Sequence, residues 1–151
     1  MGASTFVARD RAGPRAGVHA PHRRPVVVLT SNRTRELSDA LRRRCLYLWV
    51  DYPPFEKEVR IVERKVPGVN ARVAREIARF METLRTVRLS KVPGVAETLD
   101  WAAALLSLGA RELAPELVDE TLGVVLKYEE DIRHVRGEGT RRYLAEAAAG
   151  G

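Results

Sequence analysis

The chain has 151 residues, of which 45% are hydrophobic and 30% are charged, and its formal net charge is +6. This length suits one ordinary domain or two very small ones. The single cysteine, Cys45, excludes an internal disulfide and a cysteine-based zinc site, and it fits a reducing cytoplasm. No apolar run approaches the roughly 20 residues that span a bilayer, so no membrane partner is expected.

The positive charge is concentrated at the amino terminus. Residues 1–24 contain five arginines and one aspartate, which accounts for +4 of the net charge of +6. They lack the apolar stretch of a secretory signal, and their scattered glycine, proline and alanine residues favour a disordered Arg-rich leader over a transit peptide. The rest of the chain is nearly neutral, so we do not expect a basic folded face that binds nucleic acid.

Two apolar runs follow the leader. Residues 26–29 are β-branched or leucine without alternation, which predicts a strand buried on both faces, as in a parallel sheet. Residues 46–50 predict a second buried strand, and residues 38–41 predict a short capped helix between the two. Trp49 in the second run, like Trp101 further along, is interpreted as a core or domain-joint residue.

From Pro54 onwards the pattern predicts four amphipathic helices. The first opens at Pro54, the second is capped by Asn70, and the third opens at Pro93-Gly94. Gly109 is placed to end the third helix, and the fourth runs from Pro115 past residue 132. A short alanine-rich helical tail follows Gly137 and Gly139. The predicted buried stripes contain Phe55, Val59, Val62 and Val66, then Val73, Ile77, Phe80, Met81 and Leu84, then Val95, Leu99, Ala102 and Leu106, then Val118, Leu122, Val125 and Ile132.

The predicted fold is therefore mostly α. Two strands are too few for a complete α/β domain, whereas four helices with short loops make a small bundle. The predicted divisions are a leader at residues 1–24, a strand segment at 25–52, a helical domain at 53–136 and a tail at 137–151.

Asn32 and an arginine cluster (Arg42, Arg43 and Arg44) are the candidate functional residues. Ligands of open parallel sheets bind beyond the strand ends, where the neutral amide of Asn32 can orient a water molecule or contact a phosphate oxygen. Alternatively, Asn32 only turns the chain. The arginine cluster precedes the second strand, and a guanidinium group stabilises charge on a transferring phosphoryl group. Alternatively, the cluster is a solvated basic turn.

The order of these features resembles the AAA+ ATPases. The strand that ends in Asn32 resembles the sensor-1 strand, and the run LSDALRRRC at residues 37–45 resembles the segment that carries the arginine finger. The run KVPGVAETLDW at residues 91–101 is similar to the third lid helix of the MoxR-like ATPases, in the branch associated with carbon monoxide dehydrogenase maturation. The resemblance covers residues 25–135. It implies two strands remaining from an incomplete α/β P-loop NTPase core, followed by a four-helix AAA+ lid bundle.

The resemblance also implies roles for individual residues. Asn32 would be sensor 1, which positions the attacking water near the γ-phosphate. Arg44 is the best match to the finger that reaches the nucleotide of a neighbouring subunit, and Arg43 is the next choice. No residue matches the sensor-2 arginine, for which Lys91 in the preceding loop is a substitute. Intact family members bind ATP and Mg²⁺, assemble as hexamers, and often remodel or mature a metalloenzyme with a partner that bears a von Willebrand A domain.

Two motifs that hydrolysis requires are missing from the sequence. A phosphate-binding loop needs G-x-x-x-x-G-K-[ST], and no lysine here follows a glycine. Asp51 follows an apolar strand, as the first residue of the Mg²⁺-binding acidic pair does. However, Tyr52 and Pro53 follow it in place of the second acidic residue and the loop. We therefore expect no tight ATP binding, no metal site and no hydrolysis by this chain alone. The alternative functions are a small helical protein-interaction module and a nonspecific nucleic-acid binder that uses the basic leader.

The missing motifs have a consequence for the sheet. The resemblance implies that the phosphate-loop strand belongs between the two predicted strands, which are thus left without a common partner. We expect residues 53–135 to form the stable part of the chain and residues 25–50 to be marginal unless another chain completes the sheet.

Overall fold

The computed structural model describes residues 3–9, 26–31 and 38–149. The chain divides after Tyr52 into two compact units. We call Met1–Tyr52 the sheet unit and Pro53–Gly151 the helical unit.

The described part of the sheet unit contains three strands and one short helix. These elements are β1 (Ala3–Arg9), β2 (Val26–Ser31), α1 (Asp39–Arg42) and β3 (Cys45–Val50). The strand order is β2-β1-β3, and β1 runs antiparallel to both neighbours. Phe6 of β1 pairs with Leu29 on one side and with Tyr47 on the other. Both described pairings are antiparallel, so the expectation of a parallel sheet is wrong for these strands; β2 and β3 run in the same direction only because β1 lies between them.

Strand β1 lies inside the segment predicted to be a disordered leader. That prediction is wrong for Ala3–Arg9, while residues 10–25 lie outside the described residues. The overall composition of the leader favours disorder, but the leader also contains a short run with threonine, phenylalanine and valine, which favour strands. Because the backbone groups of β2 and β3 need hydrogen-bond partners, such a run has a place between them. The two strands predicted to lack a common partner therefore share one.

The strands β2 and β3 form where predicted, but their side chains are not buried. The exposed fractions are 73% for Val26, 76% for Leu46 and 59% for Leu48. Trp49 is 38% exposed, so it is not a core residue of the described sheet, while its interpretation as a domain-joint residue stays a prediction. Successive side chains of a strand point to opposite faces, so apolar side chains are exposed on both faces of β3. Burial on both faces would require a covering layer on each side of the sheet.

The helical unit is described without a gap from residue 53 to residue 149, and this range contains six helices. They are α2 (Phe55–Lys65), α3 (Ala71–Leu84), α4 (Val95–Ser107), α5 (Pro115–Val125), α6 (Glu129–Val135) and α7 (Glu138–Ala149). The prediction of a mostly helical fold is confirmed. The four helices and the helical tail predicted for this range are six helices, because the fourth predicted helix is two.

The fourth predicted helix is divided into two. α5 ends at Val125 because the backbone is extended at Leu126 and again at Tyr128, the residue before α6. Gly137 then ends α6 with a φ of +77°, and its N–H donates to the Asp119 carboxylate. The predicted tail is the full helix α7, which packs on α3 and buries Tyr143.

The predicted start and stop signals of the other helices are confirmed. Asn70 caps α3, since its Oδ1 accepts a hydrogen bond from the Arg72 N–H at 2.8 Å. Pro115 is the first residue of α5. Gly109 follows α4 with a φ of +68°, a left-handed conformation that favours glycine at a helix end.

The core of the helical unit contains most of the predicted stripes. Val59, Phe80 and Leu122 are examples, each at most 4% exposed. α4 turns a different face inward, because Trp101 is fully buried whereas the predicted Leu106 is 38% exposed. The Trp101 ring lies 5.4 Å from the Phe80 ring between centroids, and its Nε1–H donates to Thr121 at 2.8 Å. The interpretation of Trp101 as a core residue is confirmed.

A buried ion pair connects the first three helices of this unit. Glu58 of α2 accepts two hydrogen bonds from Arg85 after α3, at 2.6 and 2.7 Å, and these side chains are 2% and 9% exposed. The Thr98 hydroxyl of α4 donates to Glu58 at 2.8 Å. The Arg85 Nε–H donates to the Pro93 carbonyl at 3.1 Å. These bonds fix α2, the end of α3 and the start of α4 relative to one another.

Replacing Arg85 with methionine is expected to lower the free energy of unfolding by about 3–5 kcal/mol, because Glu58 is left buried without its cationic partner. The matched control is Arg133→Met, which breaks a pair with Glu129 whose side chains are 71% and 83% exposed. The control should change stability by less than about 1 kcal/mol. Urea denaturation followed by circular dichroism measures both, and equal effects would contradict the role of the buried pair.

Hydrogen exchange is expected to differ between the two units. Amides of residues 26–29 should exchange far faster than amides in the middle of α3, since β2 lies at an edge with exposed side chains whereas α3 lies in the core. Native-state exchange measured by NMR or mass spectrometry tests this. Protection of residues 26–29 equal to that of α3 would show that the sheet unit is as stable as the helical unit.

Candidate functional site: an exposed arginine cluster

The arginine cluster lies where α1 meets β3. Arg42 is the last residue of α1, and Arg43 and Arg44 form the turn before Cys45. All three side chains are exposed, and none forms a salt bridge with another described residue. Backbone hydrogen bonds from Arg42 N–H to the Ser38 carbonyl and from Arg43 N–H to the Asp39 carbonyl, at 3.1 and 3.0 Å, hold the turn.

The sheet separates this cluster from the end of β2. Cys45 pairs with Ala8, and Ser31 pairs with Ser4. These two pairs therefore lie four residues apart along β1. At about 3.4 Å per residue, the separation along the strand is about 14 Å. The structure therefore brings Arg43 and Arg44 together, but it places them at the opposite end of the sheet from Ser31. Asn32 itself lies outside the described residues.

Lys91 belongs to the helical unit and lies in the loop before α4. Its exposed ammonium group is 3.5 Å from Glu97 Oε1. The other oxygen of Glu97 accepts from the Gly94 N–H at 2.9 Å, a contact that ties the first turn of α4 to its cap. The N–H groups of Ser90 and Lys91 donate to the buried Asp131 carboxylate at 2.8 and 3.2 Å. These contacts account for the position of Lys91 without a nucleotide.

Groups in this loop shift the pKa of the Glu97 carboxyl group. Partial burial alone would raise its pKa, but the backbone N–H groups of Glu97 and Gly94 and the nearby Lys91 outweigh that effect. The pKa of Glu97 is therefore lowered below its usual value. A lowered pKa means that the ionised group stabilises the fold above the usual carboxyl pKa, and that this contribution is lost as the pH falls through the folded-state pKa.

Among the described residues, the glycines of positive φ are Gly68, Gly109 and Gly137, which end helices and are not followed by a lysine. Asp51 is exposed, and its Oδ1 accepts from the neighbouring Tyr52 N–H at 2.9 Å. Across the described ranges, no group of three or more His, Cys, Asp and Glu side chains could hold a metal ion.

The helical unit also contains an open groove, which the sequence analysis missed. It has a volume of about 450 Å³ and lies between α3, α7 and the start of α5. Leu113 and Ala147 contribute apolar surface, and arginines of α3 line it. The Arg79 guanidinium lies 3.6 Å from the centroid of the Phe55 ring, a cation–π contact. The available signal was the spacing of Arg72, Arg75 and Arg79 along α3, but it does not reveal where α7 packs.

Comparison of the chain with protein-family models, with curated proteins and with solved structures finds no match. Among the described residues, no helix combines the length and the apolar character that crossing a membrane requires.

Replacing Glu97 with glutamine is expected to destabilise the chain at pH 7 by about 0.5–1 kcal/mol, because the first turn of α4 loses its negative charge. The difference from the unmodified chain should shrink below pH 4.5, the ordinary value for this carboxyl group, and vanish once the folded-state carboxyl is protonated. Urea denaturation at pH 7 and pH 3 measures this difference. Glu146→Gln, in a pair that is mostly exposed, is the control. A loss of equal size at both pH values would contradict the lowered pKa.

Proposed function

We propose that this chain is the carboxy-terminal portion of a MoxR-type AAA+ ATPase, and that it supplies an arginine finger to the nucleotide site of a neighbouring subunit. Its main support is the exposed turn of Arg43 and Arg44, which carries two guanidinium groups without a carboxylate partner among the described residues. Unpaired exposed guanidinium groups beside a strand suit an anionic ligand outside the chain. The arginines that line the helical groove, in contrast, are paired with glutamates.

The position of the turn favours action on another subunit. Arg44 and the end of β2 lie at opposite ends of the sheet, so a phosphate beside Ser31 would be out of reach of Arg44 in the same chain. A finger that is supplied in trans acts from outside the site that it serves, which fits this separation. In this proposal Arg44 is the finger, Arg43 is its neighbour, and Asn32 is the water-positioning residue of the chain's own subunit.

The order of elements also supports the proposal. β2 and β3 run in the same direction with one antiparallel strand between them, and helices with short connections follow from Phe55. We propose that the helical unit is the lid of the ATPase. Lys91 is the substitute for the sensor-2 arginine in this assignment, although its pairing with Glu97 also gives it a structural role.

The chemistry of the finger follows from its guanidinium group. A planar cation with five N–H donors can hydrogen-bond the oxygens of a transferring phosphoryl group and stabilise the charge that they share. We propose a cytoplasmic assembly with other AAA+ subunits, hexameric as in the family. A protein with a von Willebrand A domain is the proposed further partner, and a metalloenzyme is the proposed client.

A rescue experiment tests the finger. In a full-length MoxR-type ATPase whose own finger arginine is replaced by alanine, addition of this chain should raise ATP hydrolysis by at least about tenfold, since a finger contributes about 10³–10⁵ in kcat. The variant Arg44→Ala should fail to rescue. Arg133→Ala, which removes an exposed arginine of the helical unit, should rescue fully. Rescue that survives Arg44→Ala and Arg43→Ala would reject this function.

A protein-interaction module is the second candidate function, and the groove between α3 and α7 favours it. The groove combines apolar surface with arginines that are paired with glutamates, which suits a segment of another protein with apolar and polar side chains. This candidate needs no nucleotide, whereas the finger needs a neighbouring ATPase site.

A further inference from the structure

The groove between α3, α7 and the start of α5 has the size of a small-molecule site. Its volume of about 450 Å³ lies within the range of about 300–1,000 Å³ that such sites occupy. Twelve described residues line it, whereas a stable protein interface uses about 20–30 residues on each side. The size of the groove therefore favours a small molecule over a protein segment as its occupant.

The guanidinium group of Arg79 is held in place at the wall of this groove. It lies 3.6 Å from the centroid of the Phe55 ring, and the guanidinium group of Arg75 lies 5.0 Å from the same centroid. The Arg79 side chain is only 26% exposed. Because the ring contact and the partial burial restrict the guanidinium group, it loses little conformational freedom when an anion binds to it.

Arg79 has hydrogen-bond donors that the protein does not use. Its Nη1 group donates to Glu82 at 3.1 Å, whereas no described residue accepts a hydrogen bond from its Nε or Nη2 group. The N–H groups of Nε and Nη2 form a fork that can donate to both oxygens of one carboxylate. The same two nitrogens of Arg72, in contrast, donate to Glu76 and Glu112. Arg79 therefore has the spare fork.

The rest of the groove suits an apolar group. Leu113, Leu144 and Ala148 contribute apolar surface to its lining. Glu76 also lines the groove, but its two oxygens already accept hydrogen bonds, one from Arg72 at 2.7 Å and one from the Leu113 N–H at 2.8 Å. Glu76 is thus engaged by the chain itself and leaves Arg79 to a ligand.

We propose that this groove binds a small carboxylic acid with an apolar body. The carboxylate accepts two hydrogen bonds from Nε and Nη2 of Arg79, and the apolar body packs on Leu113, Leu144 and Ala148. This ligand takes the place of the protein segment in the second candidate function. The inference uses neither the arginine finger nor a nucleotide, so it does not rest on the proposed function.

Isothermal titration calorimetry of the full chain with octanoate tests the site. The expected dissociation constant is below about 1 mM, which is ordinary for a ligand of this size. Octanamide has the same length but no charge, and it should bind at least about tenfold more weakly because it loses the charge-assisted fork. Acetate has the carboxylate without the apolar body, so it should show no binding at the same concentrations.

Two substitutions separate recognition of the carboxylate from recognition of the body. Arg79→Gln should weaken octanoate binding by more than about tenfold and leave octanamide binding unchanged. Ala148→Trp places a large ring at an exposed position of the groove, and it should abolish binding of both ligands. Arg142→Gln is the matched control, since this guanidinium also lies near a ring, 4.6 Å from that of Tyr143, but does not line the groove.

Several outcomes would overturn the site. Equal affinity for octanoate and octanamide would reject recognition of a carboxylate, and it would favour an apolar side chain of a protein segment as the occupant. Octanoate binding that survives Arg79→Gln or Ala148→Trp would place the ligand elsewhere. Absence of octanoate binding at about 10 mM would reject the site altogether. The Arg44 rescue experiment involves no residue of the groove, so failure of either proposal leaves the other standing.

Discussion

The helical unit depends on the buried pair of Glu58 and Arg85. Burial of two charges is costly unless each is paired and hydrogen-bonded, and here Thr98 and the Pro93 carbonyl complete the arrangement. Apolar contacts in the core are strong but not directional. The carboxylate and guanidinium groups have fixed geometry, so they determine how the end of α3 meets α2 and the start of α4. The loop that carries Lys91 leads into the start of α4, which this ion pair holds in place.

The two units differ in how far their apolar side chains are buried and in whether their arginines are paired with carboxylates. In the helical unit, large apolar side chains such as Phe80 and Trp101 are fully buried, and the arginines of its groove have carboxylate partners. In the sheet unit, apolar strands are exposed and the arginine cluster has no carboxylate partner among the described residues. The described apolar side chains are therefore buried far more completely in the helical unit than in the sheet unit.

Local signals allowed accurate prediction, and long-range packing did not. Asn70 and Pro115 act within one helical turn, so the helix ends that they mark could be predicted from neighbouring residues. The inward face of α4 could not, because this helix is apolar on most sides and its orientation depends on Trp101 fitting against α3. The exposure of Arg43 and Arg44 followed from their charge. The pairing of Glu58 with Arg85 joins residues that are 27 positions apart and left no periodic signal.

The packing of α7 on α3 shapes how the helical unit reaches its native state. About 50 residues lie between the end of α3 and the start of α7, so this contact joins distant parts of the chain. Closing so large a loop costs chain entropy before any core contact compensates for it. Bundles built from successive hairpins avoid that delay and fold rapidly. The helical unit should instead cross a higher kinetic barrier, and an intermediate without docked α7 would leave part of α3 in contact with solvent.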